Sequence, residues 1–300
     1  MILPKIDGIY KINYNLSNLT WFKVGGPGTL FKPNDTQDLV NFLKQTQGDI
    51  PLHVIGAGSN LIIRDGGCDG IVIKLGKNFT DIDLTTYNDN NILAVSAGCL
   101  NINLAKFCAQ HDISGFEFLI GIPGTVGGGI AMNAGAYNCT YKDIILAIEA
   151  LDLKGNLYKF NVDEIGFKYR SNNLPDNLIF TKAYFKCIKG DKAQINNLMQ
   201  NYLKHRKNSQ PTCSKTGGST FKNPSPELKA WKLIDEVNMR GYKLGDASIS
   251  ELHCNFMINH GSARASDLEK LGNYVKKMVV KKTSIELKWE IKIIGKHSNE

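Results

Sequence analysis

Residues 121–136 read Gly121-Ile-Pro-Gly-Thr-Val-Gly-Gly-Gly-Ile-Ala-Met-Asn-Ala-Gly-Ala136, with six glycines in the first fifteen positions against 29 in all 300 residues. A flexible linker of that glycine density would carry Ser, Lys or Glu between the glycines. Here the intervening residues are Ile, Pro, Val, Met and Ala, so the backbone is expected to pack against something large with an apolar face. Glycine lets main chain approach a ligand closely. The stretch is therefore expected to offer backbone N–H groups to phosphates and a flat apolar floor to an aromatic ring, as a bound nucleotide cofactor requires. The competing reading is a tight turn inside a core.

A second glycine-rich turn, Val54-Ile-Gly-Ala-Gly-Ser-Asn-Leu-Ile-Ile63, joins two short apolar runs. It is not the dinucleotide fingerprint G-x-G-x-x-G, because Leu61 stands where the third glycine is needed for helix packing. The run Leu61-Ile-Ile63 is strand-like, so the turn is expected to hold phosphates as a strand-turn-strand nest of N–H groups, not at a helix N-terminus. That separates the chain from nicotinamide dehydrogenases.

Composition bounds the rest. With 42% hydrophobic and 21% charged residues, a chain of this length buries a sizeable core and is expected to split into two or three domains. No run approaches the ~20 apolar residues that span a bilayer, and residues 1–10 do not read as a secretion signal. A cytoplasmic protein without membrane partners is expected. The seven cysteines, 68, 99, 108, 139, 187, 213 and 254, are scattered with no C-x-x-C pair, which fits reduced, mostly buried thiols and no metal site. The net charge of +8 is spread along the chain among acidic residues. It forms no nucleic-acid-binding arm or cluster, and anionic small molecules account for it as well.

Along the chain, Asn34 or Asp35 caps a helix through Leu39, Phe42 and Leu43, followed by strands at 51–55 and 70–75. Residues 91–98 form a strand and a helix runs through Leu104 and Phe107. A strand pair at 144–151 and 157–160 turns at Lys154-Gly155, and a further strand covers 178–188. Helices are expected at 191–207, at 226–237 with Leu228, Trp231, Leu233 and Ile234 buried, and through Leu268, Leu271, Val275 and Met278 with Ser266 as cap. Strands are expected about Ser248 and at 256–258. Strict alternation over Ile285-Glu-Leu-Lys-Trp-Glu-Ile-Lys-Ile293 reads as a strand with Ile285, Leu287, Trp289, Ile291 and Ile293 on one face.

Five stretches in order resemble the UDP-N-acetylenolpyruvoylglucosamine reductase family. They are Gly56-Ala-Gly-Ser-Asn60; Gly121 to Gly128 with Met132 to Tyr137; Tyr169-Arg-Ser171; Gly218-Ser-Thr-Phe-Lys-Asn-Pro224; and Leu287 to Gly295. The resemblance covers nearly the whole chain. It implies an α+β protein: a two-part FAD-binding region of the vanillyl-alcohol-oxidase type, residues 1–75 and 76–200, and a C-terminal α/β substrate-binding domain, residues 201–300. The third domain is short, as in the subtype without an extra tyrosine-bearing loop. Cys254 and Asp246 depart from the small residues expected there and leave the chemistry intact.

What the resemblance implies for function is a reductase that uses non-covalent FAD and NADPH on the enolpyruvyl ether of UDP-N-acetylglucosamine, acting as a monomer. FAD would lie on Ile55, Gly56, Ala57, Gly58, Ser59, Asn60 and Leu61, on Gly98, and on Gly121, Ile122, Pro123, Gly124, Val126, Gly127, Gly128, Met132, Asn133, Gly135 and Ala136. Arg170 suits a carboxylate clamp, Ser219 a proton donor, and Glu290 a partner at the carboxylate end that either orients the hydroxyl or donates a hydrogen bond. Lys222 and Asn223 are expected at the diphosphate or uracil, with Tyr169 and Lys207 as further substrate contacts. Taken singly, a Tyr-Arg pair is usually structural, a Gly-Ser loop a turn and a strand glutamate solvated. The alternatives are a flavin oxidase or dehydrogenase of the same cofactor fold acting on a hydroxy acid or alcohol, and, from another class, a basic nucleic-acid-binding module.

Overall fold

A computed structural model describes residues 3–87 and 90–298, with side chains omitted at 86, 87 and 90. The chain forms two compact units. Unit 1 comprises Met1–Lys11, Leu30–Ala57 and Gly70–Lys204, and unit 2 comprises Ile12–Thr29, Gly58–Asp69 and His205–Glu300.

Unit 1 is built on a five-stranded antiparallel sheet in the order Leu157–Asn161, Ile145–Leu151, Ile179–Lys186, Asn90–Ser96, Ile82–Tyr87. Period-two patterning sets its faces: Ile179, Thr181, Ala183 and Phe185 are buried along one strand while their neighbours are not. The hairpin joining Ile145–Leu151 to Leu157–Asn161 is closed by Asp152, whose carboxylate accepts from the N–H groups of Lys154 and Asn156. The buried face of the sheet packs on helix Asn101–Gln110 through Leu104, Ala105 and Cys108, and on helix Val126–Met132 through Val126 and Ile130. Each large apolar side chain so buried contributes ~1.5–3 kcal/mol.

Helix Thr36–Thr46 starts where Asp35 accepts from the Asp38 N–H at 2.8 Å. Its Leu39, Phe42 and Leu43 pack on Ile71 and Ile73, and on Leu151 and Ile179 of the large sheet, so residues 30–57 and 70–204 share a core. Strands Leu52–Val54 and Ile71–Ile73 run parallel within it.

In unit 2, strands Lys243–Leu244, Ala247–Ile249 and Met257–Asn259 form an antiparallel sheet. Helix Ala265–Thr283 buries Leu268, Leu271, Val275 and Val279 in the same core. Strands Leu61–Ile63 and Lys292–Ile294 pair in parallel.

Three sequence expectations are corrected. Helix Ala230–Glu236 begins four residues later than read, because the Ser225 hydroxyl accepts from the Leu228 N–H and holds the preceding segment in a turn. Trp231 is 38% exposed and Leu228 half-buried. Ser266 does not cap its helix: the Asp65 carboxylate accepts from the N–H groups of Ala265 and Ser266, both at 2.9 Å. Finally, only Lys292–Ile294 of the last segment is ladder-paired strand. Leu287 and Ile291 are buried and Glu286 and Lys288 exposed as the alternation requires, but the stretch pairs with a loop instead of a neighbouring strand.

Candidate active site

The glycine-dense stretch folds into the short helix Val126–Met132, with Thr125 as N-cap. Four successive N–H groups are satisfied within the protein. Val126 donates to Cys99 O at 2.8 Å, Gly127 to Ala97 O at 2.8 Å, Gly128 to Thr125 Oγ1 at 3.3 Å and Gly129 to Thr125 O at 2.9 Å. The expectation that these groups face phosphates is therefore corrected. What the glycines provide is a close-packed inner side and a bare outer one. A Cβ on Gly129 would lie 2.2 Å from the Tyr141 ring and one on Gly127 3.1 Å from Ala97 Cβ, whereas one on Gly128 would meet nothing nearer than Thr125 Oγ1 at 3.5 Å.

Tyr141 anchors the inner side. It is fully buried and donates its hydroxyl to Asn101 Oδ1 at 2.6 Å, and burial holds that phenol protonated far above its ordinary range. Asn101 in turn donates through its side-chain Nδ2 to Ile122 O and through its main-chain N–H to Gly124 O, so Ile122 and Gly124 both hang from this one residue. Gly56 touches this region, since a Cβ there would sit 2.5 Å from Thr125 Oγ1. Within unit 1 the two glycine-rich stretches are thus neighbours. Among the described residues, the N–H groups of Gly56 and Ala57 donate to no main-chain carbonyl. A bare glycine face beside unclaimed backbone donors suits a flat ring carrying a diphosphate, so the residues fit FAD.

Asn133, Gly135, Ala136 and Arg170 also come together in unit 1. Asn133 donates to Lys168 O at 3.0 Å, and Arg170 donates through Nη2 to Gly135 O at 3.1 Å. Arg170 sits in the left-handed region at φ 53° within the tight turn bridged by Lys168 and Ser171, its guanidinium 5.2 Å from the Tyr169 ring. Tyr169 itself is 52% exposed.

In unit 2, Ser219 lies in a loop clamped on both sides. The loop bridges Phe256 through Ser219, and Thr220 N–H donates to Asn255 O at 2.7 Å. The Asn255 side chain accepts from Phe221 N–H and donates to Phe221 O. On the opposite side Glu290 N–H donates to Thr220 O at 2.8 Å and Lys222 N–H to Lys288 O at 2.9 Å. Asn60 belongs to the same cluster: it donates through Nδ2 to Glu290 O at 3.0 Å and its carbonyl accepts from Lys292 N–H. A Cβ on Gly218 would lie 3.8 Å from Ser59 O. The structure therefore brings Ser219, Glu290, Asn60 and Lys222 together in one unit, with Ser59 beside them.

Other expected residues have different surroundings. Asn223 accepts from Ala230 N–H and so closes the turn before helix Ala230–Glu236. Lys207 is exposed on helix Lys192–Ser209. Gly98 is half-buried, with Phe79 O 2.8 Å from where its Cβ would be. Sequence reasoning did not find Asn101, Tyr141 or Asn255, whose importance lies in partners distant along the chain. No local pattern marks them.

Two family descriptions match the chain: "UDP-N-acetylenolpyruvoylglucosamine reductase, C-terminal domain" at residues 210–294 and "FAD binding domain" at residues 27–161. The chain is 56% identical over 298 residues to a UDP-N-acetylenolpyruvoylglucosamine reductase of Rickettsia canadensis (strain McKiel), covering 99% of both chains. It is 55% identical over 300 residues to that of Rickettsia bellii (strain RML369-C), covering 100% of this chain and 98% of the relative. The fold matches a crystal structure of the UDP-N-acetylenolpyruvylglucosamine reductase from Thermus caldophilus with a TM-score of 0.82 at 33% identity, covering 96% of this chain and 99% of that one.

Proposed function

Because the chain belongs to the UDP-N-acetylenolpyruvoylglucosamine reductase family, we propose that Arg170, Ser219 and Glu290 carry out its chemistry at the enolpyruvyl group. The reaction itself is the NADPH-dependent, FAD-mediated reduction of UDP-N-acetylglucosamine enolpyruvate to UDP-N-acetylmuramate, a step of peptidoglycan precursor synthesis. FAD held by the glycine-rich stretches would supply the redox chemistry, carrying reducing equivalents from NADPH to the vinyl group of the substrate.

The protein's own groups manage the charge that this creates. Addition at the terminal vinyl carbon leaves an electron pair on the carbon bearing the carboxylate, and that pair delocalises into the carboxylate oxygens. Arg170 stabilises the resulting doubly charged group with a planar fork that stays protonated at working pH. The Ser219 hydroxyl gives its proton to the basic carbon, and the alkoxide left behind takes a proton back from solvent or from Glu290. Glu290 binds at the carboxylate end and orients the hydroxyl.

The observation that supports this reading most directly is the main-chain pairing of the Ser219 loop with the Glu290 segment. It joins the backbone segments that carry Ser219 and Glu290, 71 residues apart in the sequence. Lys222, Asn223, Tyr169 and Lys207 are assigned to the nucleotide part of the substrate. Charge supports a nucleotide on unit 2, which carries 19 Lys and Arg against 12 Asp and Glu, nearly the whole +8 excess of the chain. A diphosphate is drawn to such a surface. FAD is assigned to Ile55–Leu61, Gly98 and the 121–136 stretch, in subdomains 1–75 and 76–200, with substrate on 201–300. We further assign a monomer acting in the cytoplasm, with neither nucleic acid nor membrane as partner; no helix among the described residues is long and apolar enough to cross a membrane.

The test separates the two half-reactions. Flavin reduction by NADPH is followed anaerobically at the flavin band, then reoxidation on adding the enolpyruvyl nucleotide. Substitutions at Ser219, Arg170 or Glu290 that leave the second phase at the wild-type rate would remove those residues from the chemistry.

A further inference from the structure

Residues 135–140 make a minimal hairpin, Gly135–Ala136 against Cys139–Thr140, with Ala136 opposite Cys139. Tyr137 and Asn138 are its two turn residues, at φ 54° and 62°. A two-residue turn with both φ values positive favours Asn and Gly, while a bulky L-residue held there costs ~1–3 kcal/mol. Asn138 suits its place. Tyr137 does not, so something must hold it.

Contacts of the Tyr137 ring supply such a hold. It stacks on Tyr202 with centroids 3.7 Å apart and planes 6° from parallel, and its hydroxyl donates to Tyr202 O at 2.9 Å. Its edge also covers Gly121, where a Cβ would lie 3.2 Å from Tyr137 Cε2. Tyr202 projects from helix Lys192–Ser209, 65 residues along the chain. The other end of the hairpin leads to the proposed carboxylate clamp, because Gly135 O accepts from Arg170 Nη2 and Arg170 is itself in the left-handed region.

We propose that the Tyr137–Tyr202 stack is the brace that fixes the Arg170 guanidinium, which makes both tyrosines positioning residues for reduction of the enolpyruvyl group. The proposal rests on reading Arg170 as the carboxylate clamp. The backbone strain at Tyr137 is kept because the ring on that residue ties the hairpin to a long helix. A better turn residue would leave the hairpin formed but free to shift, and a misplacement of about 1 Å at a positioned group costs up to ~100-fold in rate.

Tyr137→Asn separates positioning from folding, since it relieves the turn while deleting the brace. The expected result is a melting temperature equal to or above wild type and flavin reduction by NADPH within about twofold of wild type. Reoxidation by the enolpyruvyl nucleotide should be slower by about tenfold or more. Tyr202→Leu should reproduce that slowing, Tyr202→Phe should restore the rate by restoring the stack, and adding Tyr137→Asn to Arg170→Ala should slow the enzyme no further. If Arg170→Ala reoxidises at the wild-type rate, the clamp reading falls and takes the proposal with it. If Arg170→Ala is slow while Tyr137→Asn and Tyr202→Leu are not, the brace alone is overturned. A Tyr137→Asn protein that melts early and sheds its flavin would make the ring a folding anchor, which also overturns it.

Discussion

The main-chain N–H of Glu290 donates to the carbonyl of Thr220 at 2.8 Å, and the adjacent residues Phe221 and Trp289 are bridged antiparallel. The backbone segments that carry Ser219 and Glu290 are therefore joined directly to one another. Behind the pair, Trp289 packs on Phe221 at 5.1 Å between centroids and lies directly over Gly272, where a Cβ would be 2.1 Å from the indole. A backbone held in this way is the support that the donor role proposed for Ser219 requires.

Ser219→Ala is the direct consequence. Flavin reduction by NADPH should proceed at the wild-type rate, because no role in it falls to the serine. Reoxidation by the enolpyruvyl nucleotide should slow by ~10²–10⁴-fold, the usual worth of a positioned general acid. Stopped-flow absorbance of the flavin reads both phases, and equal wild-type rates in both would exclude the serine as proton donor.

Arg170→Ala should cost ~3 kcal/mol or more at the transition state, or about 100-fold and upwards in the same second phase. Lysine should not repair it. An ammonium is a point charge without the planar fork that matches a carboxylate, and Gly135 O would lose its directed donor. Single-turnover rates for Arg170→Ala and Arg170→Lys check this, and a lysine variant within a few-fold of wild type would refute the bidentate role.

How much of the fold and the site is legible in the sequence depends on the range of the interaction concerned. The alternation over 285–293 correctly separates buried Leu287 and Ile291 from exposed Glu286 and Lys288, because side-chain period is a local property. That the segment pairs with Thr220 and Lys222 instead of a regular strand is not legible, since pairing depends on a loop some 70 residues earlier. The Ser266 cap fails for the same reason: the helix takes its acceptor from Asp65, about 200 residues away. The glycine density at 121–136 correctly signals a close approach, yet composition cannot show that the N–H groups of 126–129 are spent on Cys99, Ala97 and Thr125. Ser219, Arg170 and Glu290 are legible only as members of an ordered set of motifs. Asn255 and Tyr202 carry no such mark.

The two sides of the glycine helix should respond differently to added volume. Gly128→Val puts its side chain on the bare outer face, so the protein should fold with its melting transition near that of the wild-type apoprotein but purify without stoichiometric flavin. Gly129→Ala places a methyl group within 2.2 Å of the buried Tyr141 ring, and overpacking of that kind costs ~1–3 kcal/mol. Flavin content by absorbance and thermal denaturation of the apoproteins distinguish the two, and a fully yellow Gly128→Val protein would move the cofactor off this face.

His253 gives the protein an acid-side weakness that can be read from its environment. Burial pushes its imidazole pKa below the ordinary value, and the positive charge of Arg240 acts in the same direction. Its Nδ1 accepts the N–H of Asn255 at 3.2 Å, a bond that only the neutral tautomer with its proton on Nε2 can make. In the unfolded chain the ring protonates near ~6.5; in the folded chain it does so only at lower pH. Between those two values the unfolded state binds a proton that the native state does not. Stability from this residue is therefore complete above ~6.5, falls as pH drops below it, and stops falling under the folded pKa. His253→Gln removes that titration, so its melting temperature should decline less between pH 8 and pH 5.5 than that of wild type. Because Asn255 holds both sides of Phe221 in the Ser219 loop, the wild-type rate of flavin reoxidation should hold through that window, where the folded ring is still neutral, and fall only as pH reaches the lower folded pKa. Parallel melting curves for the two proteins across that range would show that the ring titrates as freely folded as unfolded.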